Sequence, residues 1–253
     1  MIYLSKRLND HELAVSWDKH DAYSEVFVED EVRFAFPFNE FAVNIPQRDR
    51  SKLGLFYTWE NPTETLKRIH FDGYQQVSDR KFETYWSQVF GTQQQTFSQS
   101  ELITVGGQTQ FDLQLNANHY LIAGIQYTKD NIDQDRFEIV QLTSPFPITQ
   151  SSQLYDEANL ETKAVFAQDE WQISDTVMIT AGLRKYWIDS ELELSNRAGL
   201  SAPSNSDSEI ITALAATWEL SENSILRASY SEGYIYPSLL QLSVGAIART
   251  FVN

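Results

Sequence analysis

The chain has 253 residues, 42% of them hydrophobic, with 12 Tyr, 15 Phe, 6 Trp and no Cys, and a formal net charge of −16 at pH 7. The absence of cysteine removes disulfides and thiolate metal sites and leaves the redox compartment open, while so acidic a balance argues against a nucleic-acid binder, whose phosphate contacts need clustered Lys and Arg. No apolar run approaches the roughly 20 residues of a membrane-spanning helix, so a helical membrane protein is excluded.

The first residues, MIYLSKRLNDHELAV, contain no apolar core of about 7 to 15 residues followed by a cleavage site and do not read as a signal peptide. From there on the chain is rich in strand formers and carries no helical period. Side chains on a strand point alternately to opposite faces, so a strand buried or lipid-covered on one side shows a period of two. About twelve segments show it: 1–7, 11–18, 25–36, 50–59, 64–77, 82–90, 101–115, 119–129, 163–173, 176–194, 209–220 and 225–237. Leu13, Val15 and Trp17 oppose Glu12, Ala14 and Ser16; Leu53, Leu55, Tyr57 and Trp59 repeat the pattern, as do Phe111, Leu113 and Leu115, and Leu121, Ala123, Ile125 and Tyr127.

The last four segments form two hairpins in series, with turns at Ser174–Asp175 and at SENS, 221–224. Val177, Ile179, Ala181 and Leu183 share one face of their segment, with Arg184 on the other. Leu214, Ala216, Trp218 and Leu220 share a face of the next segment, and Leu226, Ala228 and Tyr230 a face of the last, which puts Arg227 opposite. Asp169 breaks the pattern, lying on the face of Val165, Ala167, Trp171 and Ile173.

Connections taken alternately separate by length. One set is 8–10, 37–49, 78–81, 116–118, 174–175 and 221–224, mostly very short; the other is 19–24, 60–64, 91–100, 130–162 and 195–208, mostly longer. Short turns on one side and long loops on the other are the pattern of outer-membrane barrels, whereas a soluble β-sandwich has no need of it. Trp17, Trp59, Trp171 and Trp218 sit near segment ends on the apolar faces, where an interfacial girdle would place them.

The stretches FAQDEWQISDTVMITAGLRKYW (166–187) and LAATWELSENSILRASYSEGYIYPSLLQL (214–242) resemble the middle of the barrel in TonB-dependent outer-membrane receptors. Phe166 to Trp171, Thr180 to Arg184, Arg227 to Gly233 and Pro237 carry the resemblance. It implies an all-β, antiparallel up-and-down meander of about 12 strands, an incomplete transmembrane β-barrel spanning 1–253, with a plug domain and C-terminal strands absent. It also implies a parent in the outer membrane of a Gram-negative bacterium that binds outer-membrane lipid and takes up a ferric siderophore or haem with energy from TonB through the plug. The fragment alone would not transport. A soluble β-sandwich binding module and a passive porin-like barrel stand as alternatives.

Four residues are candidates for touching the iron complex. Arg184 and Arg227 fall on polar faces that would line the lumen, where they would meet the plug, an anionic cargo, or lumen carboxylates. Tyr234 and Tyr236, with Pro237, stand where the resemblance places a strand leaving the bilayer, either against cargo or in the aromatic girdle. The run DNIDQD (130–135) offers Asp130, Asn131, Asp133 and Asp135 to calcium but lacks the Gly and closing Glu of an EF-hand loop. The four histidines, His11, His20, His70 and His119, have no ligand spacing, and no catalytic motif is present, so no enzyme activity or bound cofactor is expected.

Overall fold

A computed structural model describes residues 1–143, 146–196 and 204–236. The eleven strands form one antiparallel sheet. They are β1 (Ile2–Leu8), β2 (His11–His20), β3 (Ser24–Glu25), β4 (Phe38–Glu60), β5 (Leu66–Gln88), β6 (Thr92–Asn116), β7 (His119–Leu142), β8 (Ile148–Ser174), β9 (Val177–Ser195), β10 (Ser204–Ser221) and β11 (Ser224–Ser231). Each strand pairs with its sequence neighbours, except that the short β3 pairs with β4 alongside β2. Among the described residues no second sheet covers this one and β1 does not meet β11, so the expected open meander is present and a sandwich is not.

The strands are longer than the alternating segments. Residues 64–77 and 82–90 belong to one strand, β5, which runs without a turn through 78–81. Residues 37–49 are the first half of β4, 91–100 the start of β6, and most of the expected 130–162 loop is the paired upper halves of β7 and β8. Of these stretches 78–81 and 91–100 are almost wholly polar, and in 37–49 and 130–162 the apolar residues are too scattered for a sustained period of two, although the backbone ladder continues. Residues 25–36 depart in the other direction. They give the end of β3 and a single helical turn, α1 (Asp30–Arg33), whose acidic Asp30 and Glu31 stand at its N-terminus and Arg33 in its last turn.

One added strand and one split strand each shift the alternation of connections, and the shifts cancel. Only the connections between them change sides, so the 61–65 turn joins the short set with 9–10, 117–118, 175–176 and 222–223. Asn9 and Asn61 take φ of 52° and 50° at two of these turns, a conformation Asn tolerates better than most residues.

Rows of the sheet step relative to the turns. The row through His11 runs by way of Trp59, Ile69, Phe111, Ala123, Ala167 and Leu183 to Thr212, meeting each later hairpin farther from its turn. This stagger is what tilted strands in a barrel require.

The two faces are sharply unlike. One carries Leu13, Val15, Leu53, Leu55, Ile125, Val165, Leu183, Leu214 and Leu226, all exposed. Leaving so many large apolar side chains in water would be costly, and a hydrocarbon surround is the environment they suit. Its lower margin holds Trp59, Trp171 and Trp218 beside the short turns, and its upper margin Trp17, Tyr127 and Trp187. From His119 to Tyr127 the strand rises about 27 Å, and at a tilt of about 40° that spans about 21 Å, close to the apolar band of outer-membrane barrels.

Beyond Tyr127 the polarity inverts. Asp49, Asp79, Glu101, Asp133 and Glu157 lie in one outward row across β4 to β8. On the inner face at that height Ile132 and Ala158 are buried, packed against Leu102, Leu160 and Leu192. The inversion marks where the hydrocarbon ends, independently of the aromatic margins.

Candidate functional site

The inner, polar face is where a cargo or a lumen-filling domain would be met, and three of the four candidate residues gather on it. Arg184 on β9 points inward as its parity requires. Its guanidinium lies 5.3 Å from the ring centre of Phe166 on β8 and 4.8 Å from that of Tyr186, and an Nη donates to the side-chain carbonyl of Gln126 on β7. Among the described residues no carboxylate forms a salt bridge with it, and its buried Nε has no hydrogen-bond partner. Rings and a neutral amide therefore hold this cation in place of the acid expected for it, leaving its charge uncompensated towards the lumen.

Phe166 can lie flat because its cross-strand partner is Gly124. A Cβ there would collide with the Phe166 ring and with the Thr109 carbonyl. The same arrangement recurs on β5 and β6, where Tyr74 covers Gly106 and Lys52 sits 4.2 Å above the Tyr74 ring. The wall thus presents two layered stacks, glycine, ring and cation, which keep it smooth while facing positive charge inward.

After β11 the chain turns back over the inner face. Tyr234 packs against Tyr186 with ring centres 6.1 Å apart, and its hydroxyl donates to Asp207 at 2.7 Å. Burial, together with that bond, pushes the Tyr234 hydroxyl up to about 12, and the same bond lowers the Asp207 carboxyl. Tyr236 meets the Ser190 hydroxyl at 2.9 Å and accepts from the Asn205 amide at 3.0 Å. Both tyrosines accordingly line the inner wall and take no part in the outward girdle, Tyr234 close to Arg184 and Tyr236 about 20 Å farther up β9 at Ser190. Pro237 lies outside the described residues, as do 197–203 of the expected 195–208 loop.

Arg227 does point inward, but its row is Thr217 and Met178, near the short turns. From Ile211, beside Arg184, to Thr217 the strand advances about 20 Å, so the two arginines do not share a site. The acidic run 130–135 lies within β7, with Asp130 inward, accepting from Thr104, and Asp133 and Asp135 outward. Alternation puts Asp130 on the opposite face from Asn131, Asp133 and Asp135, which are strung out along the strand, and among the described residues no cluster of metal-ligating side chains forms.

A sheet whose bilayer-height face is apolar outside and polar inside, with short turns at one end, is a barrel wall. The sequence profile described as "TonB dependent receptor-like, beta-barrel" matches residues 8–251. The chain belongs to that family. No curated protein matches it in sequence. Solved structures similar to it include the copper transporter OprC, at TM-score 0.74 and 12% identity over 94% of this chain and 36% of that one. Others are the unliganded ferric citrate transporter FecA (0.62, 16%, 90% and 35%) and BauA, the ferric preacinetobactin receptor of Acinetobacter baumannii (0.61, 14%, 91% and 38%). The chain spans little more than a third of each, and at these identities the likeness establishes fold.

In this TonB-dependent receptor wall, further inward polar contacts were not picked out from the sequence. Near the short turns Arg68 forms an ion pair with Asp112 at 2.8 Å, and the buried Asp112 accepts from Tyr120 and Gln110. The alternation marks each as inward, but their convergence depends on the cross-strand register. The out-of-pattern Asp169 is also accounted for, since it bonds His119 at 2.7 Å while that ring stacks on Trp171 at the lower margin.

Proposed function

We propose that the chain is part of the wall of an outer-membrane active-transport receptor that takes up an iron complex, a ferric siderophore or haem, with energy delivered by TonB. The short turns then face the periplasm and the long upper halves of β4 to β8 stand outside the cell. The observation that carries this reading is the uncompensated Arg184 beside Tyr186 and Tyr234, an aromatic and cationic patch on the inner wall near the top of the apolar band, with Tyr236 farther up the same wall. Such a patch suits a large, anionic, partly aromatic ligand, because a desolvated cation and ring faces both favour it. Among the described residues the outer edges of β1 and β11 are unpaired, and a bilayer does not tolerate such edges, so in the membrane both are covered by strand pairing. The plug through which TonB acts would lie against this same inner face. Outer-membrane lipid covers the other face, and no nucleic acid is involved.

The test is uptake by an iron-limited strain whose only receptor is the full-length protein, supplied in turn with ferric citrate, a catecholate, a hydroxamate, haem and copper. Uptake of one iron complex that is lost on deleting TonB supports the reading. Uptake of copper alone, or uptake indifferent to TonB, contradicts it. Arg184→Ala should weaken binding of the accepted complex about ten-fold, about 1.4 kcal/mol, with barrel assembly unchanged.

A further inference from the structure

On the outward face, between Phe71 on β5 and Trp187 on β9, lies a groove of about 910 Å³. Gly73 and Gly107 pair directly, and the Phe71 ring lies flat over Gly73 with its edge towards Gly107, so one ring forms that end of the floor. Thr109, Ile125, Tyr127 and Val165 line its length, and Lys163 stands at its upper end. That volume is near the top of the range of about 300–1,000 Å³ that holds small ligands, and the apolar lining at bilayer height suits acyl chains.

The charge around its mouth is specific to this height. Among the described outward residues of β7, β8 and β9, Lys or Arg occurs in one band only: Lys129, Lys163 and Lys185. Below the band come apolar residues, level with it stand Tyr127 and Trp187 of the upper girdle, and above it come Asp133, Asp135, Glu157 and Glu191. Lys163 is bridged to Glu161, and Lys185 donates to Ser208 at 2.9 Å and lies over the Trp187 ring. Asp189 also lines the groove, so two carboxylates face three ammonium groups, of which Lys129 stands just beyond the lining, and the band stays net positive. Acyl-sized space capped by cations is complementary to a phosphorylated lipid entering from the leaflet on the long-loop side.

We infer that this groove binds a lipid A molecule of the outer leaflet, an acyl chain lying along Phe71, Ile125 and Val165 and a phosphate held by Lys129 and Lys163. The inference rests on the outer-membrane reading above, and its test separates the two. Full-length protein is extracted from native outer membranes in mild detergent, and the co-purifying lipid is identified by mass spectrometry, then challenged with purified hexa-acyl lipid A. Wild type should retain about one lipid A per chain. Val165→Trp, which fills the groove, and the pair Lys129→Gln with Lys163→Gln, which removes the phosphate contacts, should each cut retention about five-fold. Leu214→Trp, on the same face outside the groove, should leave it unchanged. Equal retention in all variants, retention of phospholipid in place of lipid A, or none in wild type overturns the inference while the receptor reading stands. Failure of wild type to fractionate with the outer membrane overturns both.

Discussion

Arg184 and Asp133 show how much a single position is fixed by its neighbours across the ladder. Alternation within one strand was enough to assign Arg184 to the inner face. That rings and an amide would hold it, and not a carboxylate, follows from the register that brings Phe166 opposite Gly124, and one strand's sequence does not state its register with another. Gly124→Ala would force the Phe166 ring aside and press on the Thr109 carbonyl; a loss of about 1–3 kcal/mol, read from the unfolding midpoint of the full-length protein, is expected. The fold-back that brings Tyr234 and Tyr236 to the inner wall was not legible either, because it begins where the strand pattern ends. Tyr234→Phe removes the bond to Asp207, and the segment after β11 should then be cleaved faster by a protease added to whole cells.

Asp133 lies exposed above the apolar band, where partial desolvation and the neighbouring Glu157, Glu193 and Asp135 raise its carboxyl pKa. The folded state therefore binds its proton more tightly than the unfolded state does, so folding loses stability as pH rises from the ordinary carboxylate range through the folded value. Asp207 has the opposite sign: its lowered value adds stability above the ordinary range that is lost as pH falls. Asp133→Asn should raise the thermal midpoint by about 1–2 °C at neutral pH and by less as the buffer approaches pH 4. An equal gain at both pH values would show that Asp133 is not strained by its charged neighbours.

At the scale of the strand, the hydrophobic period revealed the part in the bilayer and little else. Segments 50–59, 101–115 and 119–129 coincide with the membrane halves of β4, β6 and β7, where lipid imposes one apolar face. The outer halves face water on one side and a polar interior on much of the other, so nothing in their composition demanded a strand. Depth then decides what a charge costs. Leu214 sits mid-band, whereas Leu226 pairs with Trp218 at the periplasmic margin. Leu214→Arg should cost about 2–4 kcal/mol and Leu226→Arg about 0–1 kcal/mol. Heat-modifiable migration on gels would show the first variant failing to assemble and the second assembling; equal behaviour would contradict the assigned depths.

For the whole molecule, two boundaries drawn from different residues agree. The aromatic margins through Trp59, Trp171 and Trp218 and through Tyr127 and Trp187 enclose the apolar band, and the acidic row from Asp49 to Glu157 begins only above it. The chain's lack of cysteine gives a direct way to ask whether a membrane lies between them. Single cysteines would be placed at Asp133, Ile125 and Asp175 in the full-length protein and treated, in intact cells, with a membrane-impermeant maleimide. The predicted result is labelling at 133 in intact cells, at 175 only after the outer membrane is permeabilised, and at 125 in neither case. Labelling of 125 as readily as 133, or of 175 before permeabilisation, would contradict a bilayer around this band or reverse the wall's orientation.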